Sequence, residues 1–318
     1  MNVLVSIIMP CHNGEVFLKP AIESFLKNDR EDFELLIIND GSTDSSSEII
    51  AQFILNAPFK NIKSICIQHS GVSAARNIGI QNSKGKYLVF FDSDDLLSPF
   101  FISSLLEGFD IPDVDFSYCC STNSLKWRTK KQSRIILPET FAKNYLYHKQ
   151  SIHLCSIMFL KSEIIANHIA FDEKLSYGED IDFVWKYLCF SKKIFFTKKC
   201  LFYHRTNLNS VMFKFSYKKI DSISVYERNQ TIIDNQMPTF SKRYKAYAIP
   251  RAVISIQKEL SIHNDKKMFV SILNKYKHYC FFSLLFHDTF KNRVCSLIYL
   301  ISPSIFFRVI YRMYGGKK

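Results

Sequence analysis

Four apolar runs alternate with three segments of helical periodicity in the first 95 residues of the chain. The runs lack the alternation of apolar and polar side chains seen in half-exposed strands, which is typical of strands covered on both faces. A repeated strand–helix–strand order predicts an α/β fold, a three-layer sandwich around a mostly parallel sheet. The predicted strands cover residues 3–9, 34–40, 62–67 and 87–91, and the predicted helices cover 16–26, 45–55 and 72–82.

Polar residues collect where three of these strands end. Ligands of open α/β sheets bind beyond the carboxyl ends of the strands, so we expect the polar segments to line one crevice. Taken singly, Asp40 with Gly41 is also compatible with a turn, and Ser42 or Asp44 with a helix N-cap. The three segments are residues 10–14, 39–44 and 92–95.

Three acidic residues follow directly on the last of these strands. Asp92, Asp94 and Asp95 come after the apolar run that ends at Phe91. Neighbouring carboxylates raise one another's pKa unless a cation or water compensates their charge. These acids are therefore either exposed to solvent or hold a metal ion, and Asp95 is also compatible with a cap of the following helix.

Several other kinds of site are excluded by the sequence. Neither the GxGxxG turn of dinucleotide folds nor the GxxxxGK[ST] phosphate loop is present. The nine cysteines include no CxxC pair, which argues against a disulfide framework or a zinc knuckle and favours a reducing cytoplasm. The first residues lack the basic segment of a signal peptide and are interpreted as a strand.

The net charge is carried entirely by the last third of the chain. Residues 1–212 hold 23 basic and 23 acidic residues, whereas residues 213–318 hold 19 basic and 6 acidic ones. The apolar stretch 294–318 is interrupted by Pro303 and Arg308, so an amphipathic helix on an anionic membrane surface is favoured over a membrane span. The alternative is a basic helix packed on the protein's own core or on a second copy.

Four motifs stand in order between residues 3 and 212: VSIIMPCHNGEVFLKPAIESFL, LLIINDGSTDSS, GVSAARNIGIQNSKGKYLVFFDSDD and YGEDIDFVWK. Together they resemble glycosyltransferase family 2, the inverting enzymes of the GT-A fold. The resemblance implies a transferase domain at 1–212, with a nucleotide-binding half at 1–95 and an acceptor half at 96–212. A helical, basic region at 213–318 follows it.

The resemblance identifies Asp92-Ser93-Asp94 as the D-x-D motif of this family, which binds a divalent cation bridging the diphosphate of the donor. Mg²⁺ or Mn²⁺ fits this role, because these ions prefer carboxylate and phosphate oxygens and neutralise the charge of a diphosphate leaving group. Asp94 is expected as the direct metal ligand, supported by Asp92. Asp92 and Ser93 are also expected to face the nucleotide.

The resemblance also implies which residues hold the nucleotide. Pro10 and Asn13 would shape its pocket from the first strand. Asp40 would accept a hydrogen bond from a ring N–H of uracil, which favours a UDP-sugar. Arg76 would meet the diphosphate, because a guanidinium pairs well with phosphate oxygens. The alternative for Arg76 is a solvated position on a helix face.

A second acidic cluster, at residues 177–182, opens a helical pattern. Acids are common in the first turn of a helix, because the helix dipole favours them there. The resemblance instead assigns Asp180 as the catalytic base that takes the proton of the acceptor hydroxyl, with Glu179 orienting the acceptor. Asp182 is interpreted as a surface acid.

The segment after residue 200 resembles the family's Y-x-R-x-x-x-x-S element, through Tyr203, Arg205 and Ser210. Arg205 would lie near the diphosphate. Many family members carry a histidine two residues after this arginine, where the chain has Asn207. His204 is out of register, so a third protein ligand of the metal is not supported.

These observations predict an inverting glycosyltransferase that moves a sugar from a nucleotide-sugar, of UDP type, to a saccharide acceptor. What is usual in the family, together with the basic C-terminal region, favours a lipid-linked acceptor in O-antigen, capsule or lipopolysaccharide synthesis. The protein would then work at the inner face of the cell membrane. The basic loop 126–131 either contacts the acceptor or is simply solvated. A non-catalytic nucleotide-sugar-binding protein is one alternative. A nucleic-acid-binding protein is another, but no nucleic-acid motif accompanies the basic residues.

Overall fold

The computed structural model describes most of the chain, which divides into two units. One comprises Met1–Leu175 with Glu179–Ser210, and the other comprises Ser176–Gly178 with Val211–Lys318. The domain boundary predicted after residue 212 falls outside the described residues and stays a prediction. The structure describes residues 3–56, 61–122, 124, 126–128, 132–147, 152–205, 216–286, 297 and 302–310.

The first unit is built on one sheet. Within the described residues its nine strands are β1 (Val5–Cys11), β2 (Phe33–Asp40), β3 (Asn61–Ile67), β4 (Tyr87–Phe90), β5 (Leu96–Leu97), β6 (Val114–Thr122), β7 (Arg134–Ile136), β8 (Ile157–Leu160) and β9 (Lys193–Tyr203). They are hydrogen-bonded in the order β3-β2-β1-β4-β8-β6-β9-β5, and β7 also pairs with β9.

Most strands of this sheet run in one direction. β1, β2, β3 and β4 pair in parallel, while β8 is antiparallel to both β4 and β6. β6 and β9 pair in parallel, and β5 and β7 run against β9. Six of the nine described strands therefore share a direction, and the predicted α/β fold with a mostly parallel sheet is confirmed.

Helices surround the sheet and make up the second unit. In the first unit the described helices are α1 (Glu15–Leu26), α2 (Ser46–Asn56), α3 (Val72–Asn82), α4 (Phe101–Leu106), α5 (Pro138–Leu146), α6 (Lys161–Ala166) and α7 (Glu179–Leu188). In the second unit they are α8 (Asp221–Gln236), α9 (Pro238–Ile262), α10 (Lys266–Phe286) and α11 (Pro303–Ile310). Short 3₁₀ turns lie at Glu107–Asp110, Leu154–Ser156 and Tyr217–Ile220.

The first 95 residues follow the predicted alternation closely. Every residue of β1, β2 and β4 is buried, which explains why these strands are apolar without alternation. Helix α3 spans the predicted residues, and α1 and α2 begin within one residue of the prediction. Strand β1 differs most, because it starts and ends two residues later than predicted. The parallel register brings the carboxyl ends of these strands to one edge of the sheet.

In residues 96–212 the sequence predicted only the helix opened by the second acidic cluster, which the structure shows as α7. The strands of this part pair over long distances in the chain. β8 joins β4, and β6 and β9 extend the sheet beyond it, with register shifts along the β6–β9 pair. β5 pairs with the end of β9, so Leu96 lies opposite Tyr203. This pairing places the end of β9 beside the acidic segment that precedes β5.

The second unit has an apolar core of its own. Residues of α8, α9, α10 and α11 contribute to it, and Tyr217 donates a hydrogen bond to Asp265 at 2.6 Å near its edge. No helix among the residues described in the structure is both long and apolar enough to cross a membrane. The core consists of Ile223, Ile249, Ala252, Val253, Ile256, Leu260, Phe269, Ile272, Leu273, Tyr276, Phe306 and Phe307.

Helix α3 packs against β1 at a glycine. A Cβ atom added to Gly79 would lie only 2.2 Å from Cγ2 of Ile8, whose side chain is fully buried. A larger residue would therefore push the helix away from the sheet. Arg76 lies one turn before this glycine on α3, so the same close approach fixes how deeply its side chain sits.

We expect Gly79→Ala to lower the free energy of unfolding by about 1–3 kcal/mol, because the added methyl group overpacks the contact with Ile8. Chemical denaturation measures this loss. The control is Gln81→Ala, an exposed position of the same helix, which should change stability by less than about 0.5 kcal/mol. Equal stability of the two variants would mean that α3 can move away from β1 without a loss in the free energy of unfolding.

Candidate active site

The loops after the parallel strands meet the first turn of α7 at one edge of the sheet. β1, β2 and β3 are in register up to their last residues, so their loops begin side by side. Arg76 of α3 contacts both Asp92, which follows β4, and Glu179, which begins α7. The structure therefore brings the two acidic clusters of the sequence together.

A buried arginine links these clusters. Nη2 of Arg76 donates to Oδ1 of Asp92 at 2.8 Å, and Nη1 donates to Oε1 of Glu179 at 3.1 Å. The side chain is 5% exposed, and its guanidinium lies 5.2 Å from the centre of the Phe171 ring. Burial alone would lower the pKa of Arg76, but the charges of Asp92 and Glu179 outweigh it and raise that pKa. The solvated alternative for Arg76 is wrong.

Asn77 fixes the aromatic ring beside this arginine, a role that the sequence analysis missed. Its Oδ1 accepts from the Phe171 N–H at 2.9 Å, and its Nδ2 donates to the Phe171 carbonyl at 2.9 Å. Nothing in the local pattern distinguishes Asn77 from a surface residue, because its partner lies 94 positions away.

The D-x-D residues are half-buried at the end of β4. A carboxylate oxygen of Asp92, one of Asp95 and Sγ of Cys155 all lie within 4.8 Å of one another. Burial raises the pKa of Cys155 well above its ordinary value, so this thiol stays protonated and is a poor ligand. The donors that remain are carboxylates, which fit a hard divalent cation such as Mg²⁺ or Mn²⁺.

Asp180 is the half-buried second residue of α7. Burial raises its pKa to about 6, the neighbouring charge of Glu179 adds to this effect, and Arg76 opposes it. At neutral pH the carboxylate is therefore mainly ionised, yet it is a stronger base than an aspartate in water. This combination suits proton abstraction.

Asp182 is not the surface acid that the sequence suggested. It is 1% exposed and forms an ion pair at 2.6 Å with Lys186, one turn later on α7. Its burial comes from the packing of α7 on the rest of the unit, which a helical pattern does not reveal. Asp182 therefore belongs to the structural side of the helix.

Asp95 ties the end of β4 to the end of β9. It is 1% exposed, accepts the Arg205 N–H at 2.9 Å, and lies 3.2 Å from Nδ1 of His204. Helix α4 begins at Phe101, so the alternative that Asp95 caps the next helix is wrong. Burial raises the pKa of Asp95 to about 6, and its hydrogen bond raises the pKa of His204.

Arg205 is half-buried, and its guanidinium lies 5.0 Å from the centre of the Phe17 ring of α1. Tyr203 is the last residue of β9. Asn207 and Ser210 lie outside the described residues, so the remainder of the Y-x-R-x-x-x-x-S element stays a prediction.

Asp40 joins the loops that follow β2 and β3. Its Oδ1 accepts from the Ser70 N–H at 2.6 Å, and its Oδ2 accepts from the Gly71 N–H at 2.9 Å and from Nδ1 of His69 at 2.9 Å. The residue is 3% exposed. The carboxylate expected to meet the base thus holds the segment that leads into α3.

Pro10 and Asn13 lie at the end of β1. Pro10 is buried within the strand, and Asn13 follows it at the exposed edge. Oδ1 of Asn13 accepts from the Thr43 N–H at 2.8 Å, and its own N–H donates to Oγ of Ser42 at 3.1 Å. Asn13 therefore connects the loops after β1 and β2 through its side chain and its backbone.

Asp44 is placed between two helix starts. Its Oδ1 accepts from the Ser46 N–H of α2 at 3.0 Å, and its Oδ2 accepts from the Glu15 N–H of α1 at 3.0 Å. The capping alternative is thus confirmed for Asp44. Ser42 instead accepts from the loop after β1.

Two exposed histidines at the same edge were not predicted as site residues. The rings of His12 and His69 stack with centroids 4.0 Å apart, and Nδ1 of His12 lies 2.7 Å from the carbonyl oxygen of Asp40. The sequence signal was weak, because an isolated histidine is more often a surface residue than part of a site.

The basic loop 126–131 is described only in part. Lys126 and Arg128 are exposed, Trp127 is half-buried, and Arg128 exchanges backbone hydrogen bonds with Cys200 of β9. Residues 129–131 lie outside the described part of the chain. Contact of this loop with an acceptor stays a prediction.

Comparison with known proteins gives one matching family and several relatives. The family described as "Glycosyl transferase family 2" matches residues 6–169. The "Putative glycosyltransferase EpsH" of Bacillus subtilis is 23% identical over 85% of this chain and 81% of its own. The "Teichoic acid poly(glycerol phosphate) polymerase" of Staphylococcus epidermidis is 30% identical over 73% of this chain, which spans only 31% of that relative.

Solved structures share the fold at low sequence identity. TarS residues 1–349 of S. aureus, crystallised with UDP-GlcNAc, superimposes with a TM-score of 0.79 at 17% identity, over 98% of this chain and 91% of that one. The mannosyltransferase PcManGT of Pyrobaculum calidifontis, crystallised with GDP-Man and Mn²⁺, gives a TM-score of 0.55 at 12% identity, over 98% and 83% of the two chains.

We expect Arg76→Met to lower the free energy of unfolding by about 3 kcal/mol at neutral pH, because it leaves Asp92 and Glu179 without their shared cation. Chemical denaturation at neutral pH measures this loss.

Arg30→Met is the matched control for this variant. Arg30 also pairs with an aspartate, Asp32, but the two side chains are 38% and 31% exposed. This exposed pair should contribute less than about 1 kcal/mol. A cost for Arg76→Met as small as that of Arg30→Met would show that the buried cation does not stabilise the site.

Proposed function

The chain belongs to glycosyltransferase family 2, and on that premise we propose that it transfers a sugar, with inversion, from a UDP-sugar to a saccharide acceptor. The observation that supports this most is the bridge from Asp92 through Arg76 to Glu179. It joins the acids suited to the donor diphosphate to those suited to the acceptor hydroxyl, and a transferase needs both at one place.

At the donor end, Asp94 and Asp92 would hold a divalent cation. Such a cation, when bound, neutralises the charge that develops on the departing diphosphate. One carboxylate oxygen of Asp92 already accepts a hydrogen bond from Arg76, so Arg76 orients the carboxylate of Asp92. Arg205, whose backbone is held by Asp95, would add a second positive charge near the phosphates.

At the acceptor end, Asp180 would take the proton of the attacking hydroxyl. Inversion requires this base on the face of the sugar opposite the leaving group, by the same geometric logic that applies to inverting glycosidases. Glu179 would orient the acceptor, and Arg76 fixes one of its oxygens at 3.1 Å.

The nucleotide would lie over the loops after β1 and β2. Pro10 and Asn13 would shape that pocket, and Ser93 would face the nucleotide. Asp40 holds the loops after β2 and β3 together beneath it. The UDP specificity rests on the family expectation for Asp40 and on the fold shared with a protein crystallised with UDP-GlcNAc.

The acceptor we propose is a lipid-linked saccharide of a bacterial surface polymer. A relative named for teichoic acid supports a surface polymer, while the O-antigen, capsule or lipopolysaccharide assignment made from the sequence stays a prediction. The net charge of +13, all of it in residues 213–318, supports peripheral contact with an anionic membrane at the cytoplasmic face.

Asp94 and Asp180 should have separate roles, in donor binding and in proton transfer. We expect Asp94→Asn to abolish Mn²⁺-dependent binding of UDP, because it removes a metal ligand. Asp180→Asn should lower kcat by about 10²–10⁴-fold with UDP binding unchanged, because it removes only the base. Calorimetric titration with UDP, GDP, CDP and ADP, with and without Mn²⁺, combined with a transfer assay, measures both.

Two results would contradict this division. Metal-independent binding, or binding of none of the four diphosphates by the wild-type protein, would remove the donor site proposed here. Equal loss of UDP binding in both variants would place Asp180 at the donor instead of the acceptor.

The rate should fall in acid because the base must be ionised. With a pKa of about 6 for Asp180, kcat/KM should be constant above that pH and decline about tenfold per unit below it. Glu179→Gln removes the adjacent negative charge, so it should lower the pKa of Asp180 and move the decline to lower pH. The pH profile of kcat/KM measures both effects.

Glu139→Gln serves as the control, because Glu139 is an exposed acid of α5. Its pH profile should coincide with that of the wild type. An acid limb that stays in place in Glu179→Gln would mean that a group other than Asp180 controls it.

A further inference from the structure

The charge of the second unit is divided unequally among its helices. Helix α8 carries three acidic residues and one basic residue. Helix α9 carries five basic residues and one acid, and α10 carries four basic residues and no acid. The acid of α9, Glu259, lies 3.1 Å from Nζ of Lys219, which precedes α8. The positive charge of this unit is therefore concentrated on α9 and α10.

Helix α10 has an apolar face and a basic one. Four of its apolar side chains, spaced three or four residues apart or adjacent, pack into the core of the unit. All four of its lysines are exposed to solvent. The core residues are Phe269, Ile272, Leu273 and Tyr276, and the lysines are Lys266, Lys267, Lys275 and Lys277. Folding of the unit thus leaves the cations of α10 at the surface.

The second half of α9 shows the same division. Arg251, Lys258 and Ile262 are spaced so that they lie on one face of the helix. That face is exposed, and Ile262 keeps 38% of its surface in solvent. Ile256 and Leu260, on the opposite side, pack into the core. An apolar side chain beside cations suits the boundary between lipid headgroups and acyl chains.

Helix α11 lies in the stretch for which the sequence favoured a membrane contact, but its aromatic side chains are buried. Phe306 and Phe307 are 2% and 8% exposed and belong to the core of the unit. The ring of Phe307 meets that of Phe269 edge to face, with centroids 4.8 Å apart. An amphipathic helix binds a membrane through its apolar face. These two side chains are not available for that contact while the unit is folded.

We propose that the exposed face of α9 and α10 is the surface that binds an anionic membrane, through the headgroups of acidic lipids. The inference rests on the peripheral membrane contact of the proposed function and assigns that contact to one surface. The cations form a row and do not converge on one point, since Lys266 and Lys277 are separated by about 17 Å along the helix. Such a row matches an extended anionic surface better than a single phosphate group.

The test measures co-sedimentation of the full chain with vesicles that contain phosphatidylglycerol and with vesicles of phosphatidylcholine alone. We expect the wild type to bind only the acidic vesicles, and to be released as the salt concentration rises. The variant that combines Lys266→Gln, Lys267→Gln, Lys275→Gln and Lys277→Gln should bind them about 10²–10³-fold more weakly, because each lysine near such a surface contributes about fivefold.

The matched control combines Lys27→Gln, Lys84→Gln, Lys86→Gln and Lys192→Gln, which are exposed lysines of the first unit. It lowers the net charge by the same amount, so it separates a local contact from the overall charge. Its vesicle binding should stay within about threefold of the wild type, because salt screens exposed charges beyond about 8 Å. Ile305→Ser, which removes a 52% exposed side chain of α11, should leave binding unchanged.

Four results would overturn the assignment of this surface. They are equal losses in the two lysine variants, equal binding of both kinds of vesicle by the wild type, loss of binding in Ile305→Ser, and binding of soluble polyphosphate without binding of vesicles. A wild-type protein that binds no vesicle also removes the membrane contact from the proposed function. Calorimetric titration with UDP and Mn²⁺ on the same preparations tests the donor site separately, and the α10 variant should bind UDP like the wild type.

Discussion

The site depends on one positive charge buried among acids. The side chain of Arg76 is 5% exposed and lies between Asp92 and Glu179, whose side chains are 40% and 16% exposed. Neighbouring carboxylates that are partly removed from water repel one another unless a cation pairs with them. The guanidinium can pair with both acids at once through its two terminal nitrogens, whereas lysine carries a single ammonium group. The depth of Arg76 is set in turn by the close approach of α3 to β1 at Gly79.

The elements of residues 1–95 could be predicted because their sequence signals are local. Buried parallel strands read as apolar runs, and their helices show the apolar spacing of one face, so α3 was predicted with its observed bounds. In residues 96–212 only the pattern of α7 gave such a signal. The strands of this part pair across long stretches of chain, and β6 and β9 do so with shifts of register. The burial of Asp182 and the bond from Asp95 to Arg205 depend on that same distant packing.

The residue types of a motif indicate which hydrogen-bonding groups are present, but not which partners bind them. The sequence pointed to Asp40 as an acceptor, and the structure uses that acceptor for Ser70, Gly71 and His69. Arg76 was expected at the diphosphate, whereas both of its terminal nitrogens bind carboxylates. In each case a short-range pattern located the polar group, and the hydrogen bonds that occupy it come from residues at least 16 positions away.

The pKa of Asp180 reflects a balance between burial and the charges around it. Burial and Glu179 make Asp180 more basic than an aspartate in water, which suits its proposed role as the base. The same effects, left alone, would raise the pKa further. Arg76 opposes them, and the resulting pKa of about 6 leaves Asp180 mainly ionised at pH 7. Arg76 of α3 contacts both Asp92 and Glu179, so α3 supplies the cation that links the two acidic motifs and keeps the proposed base ionised.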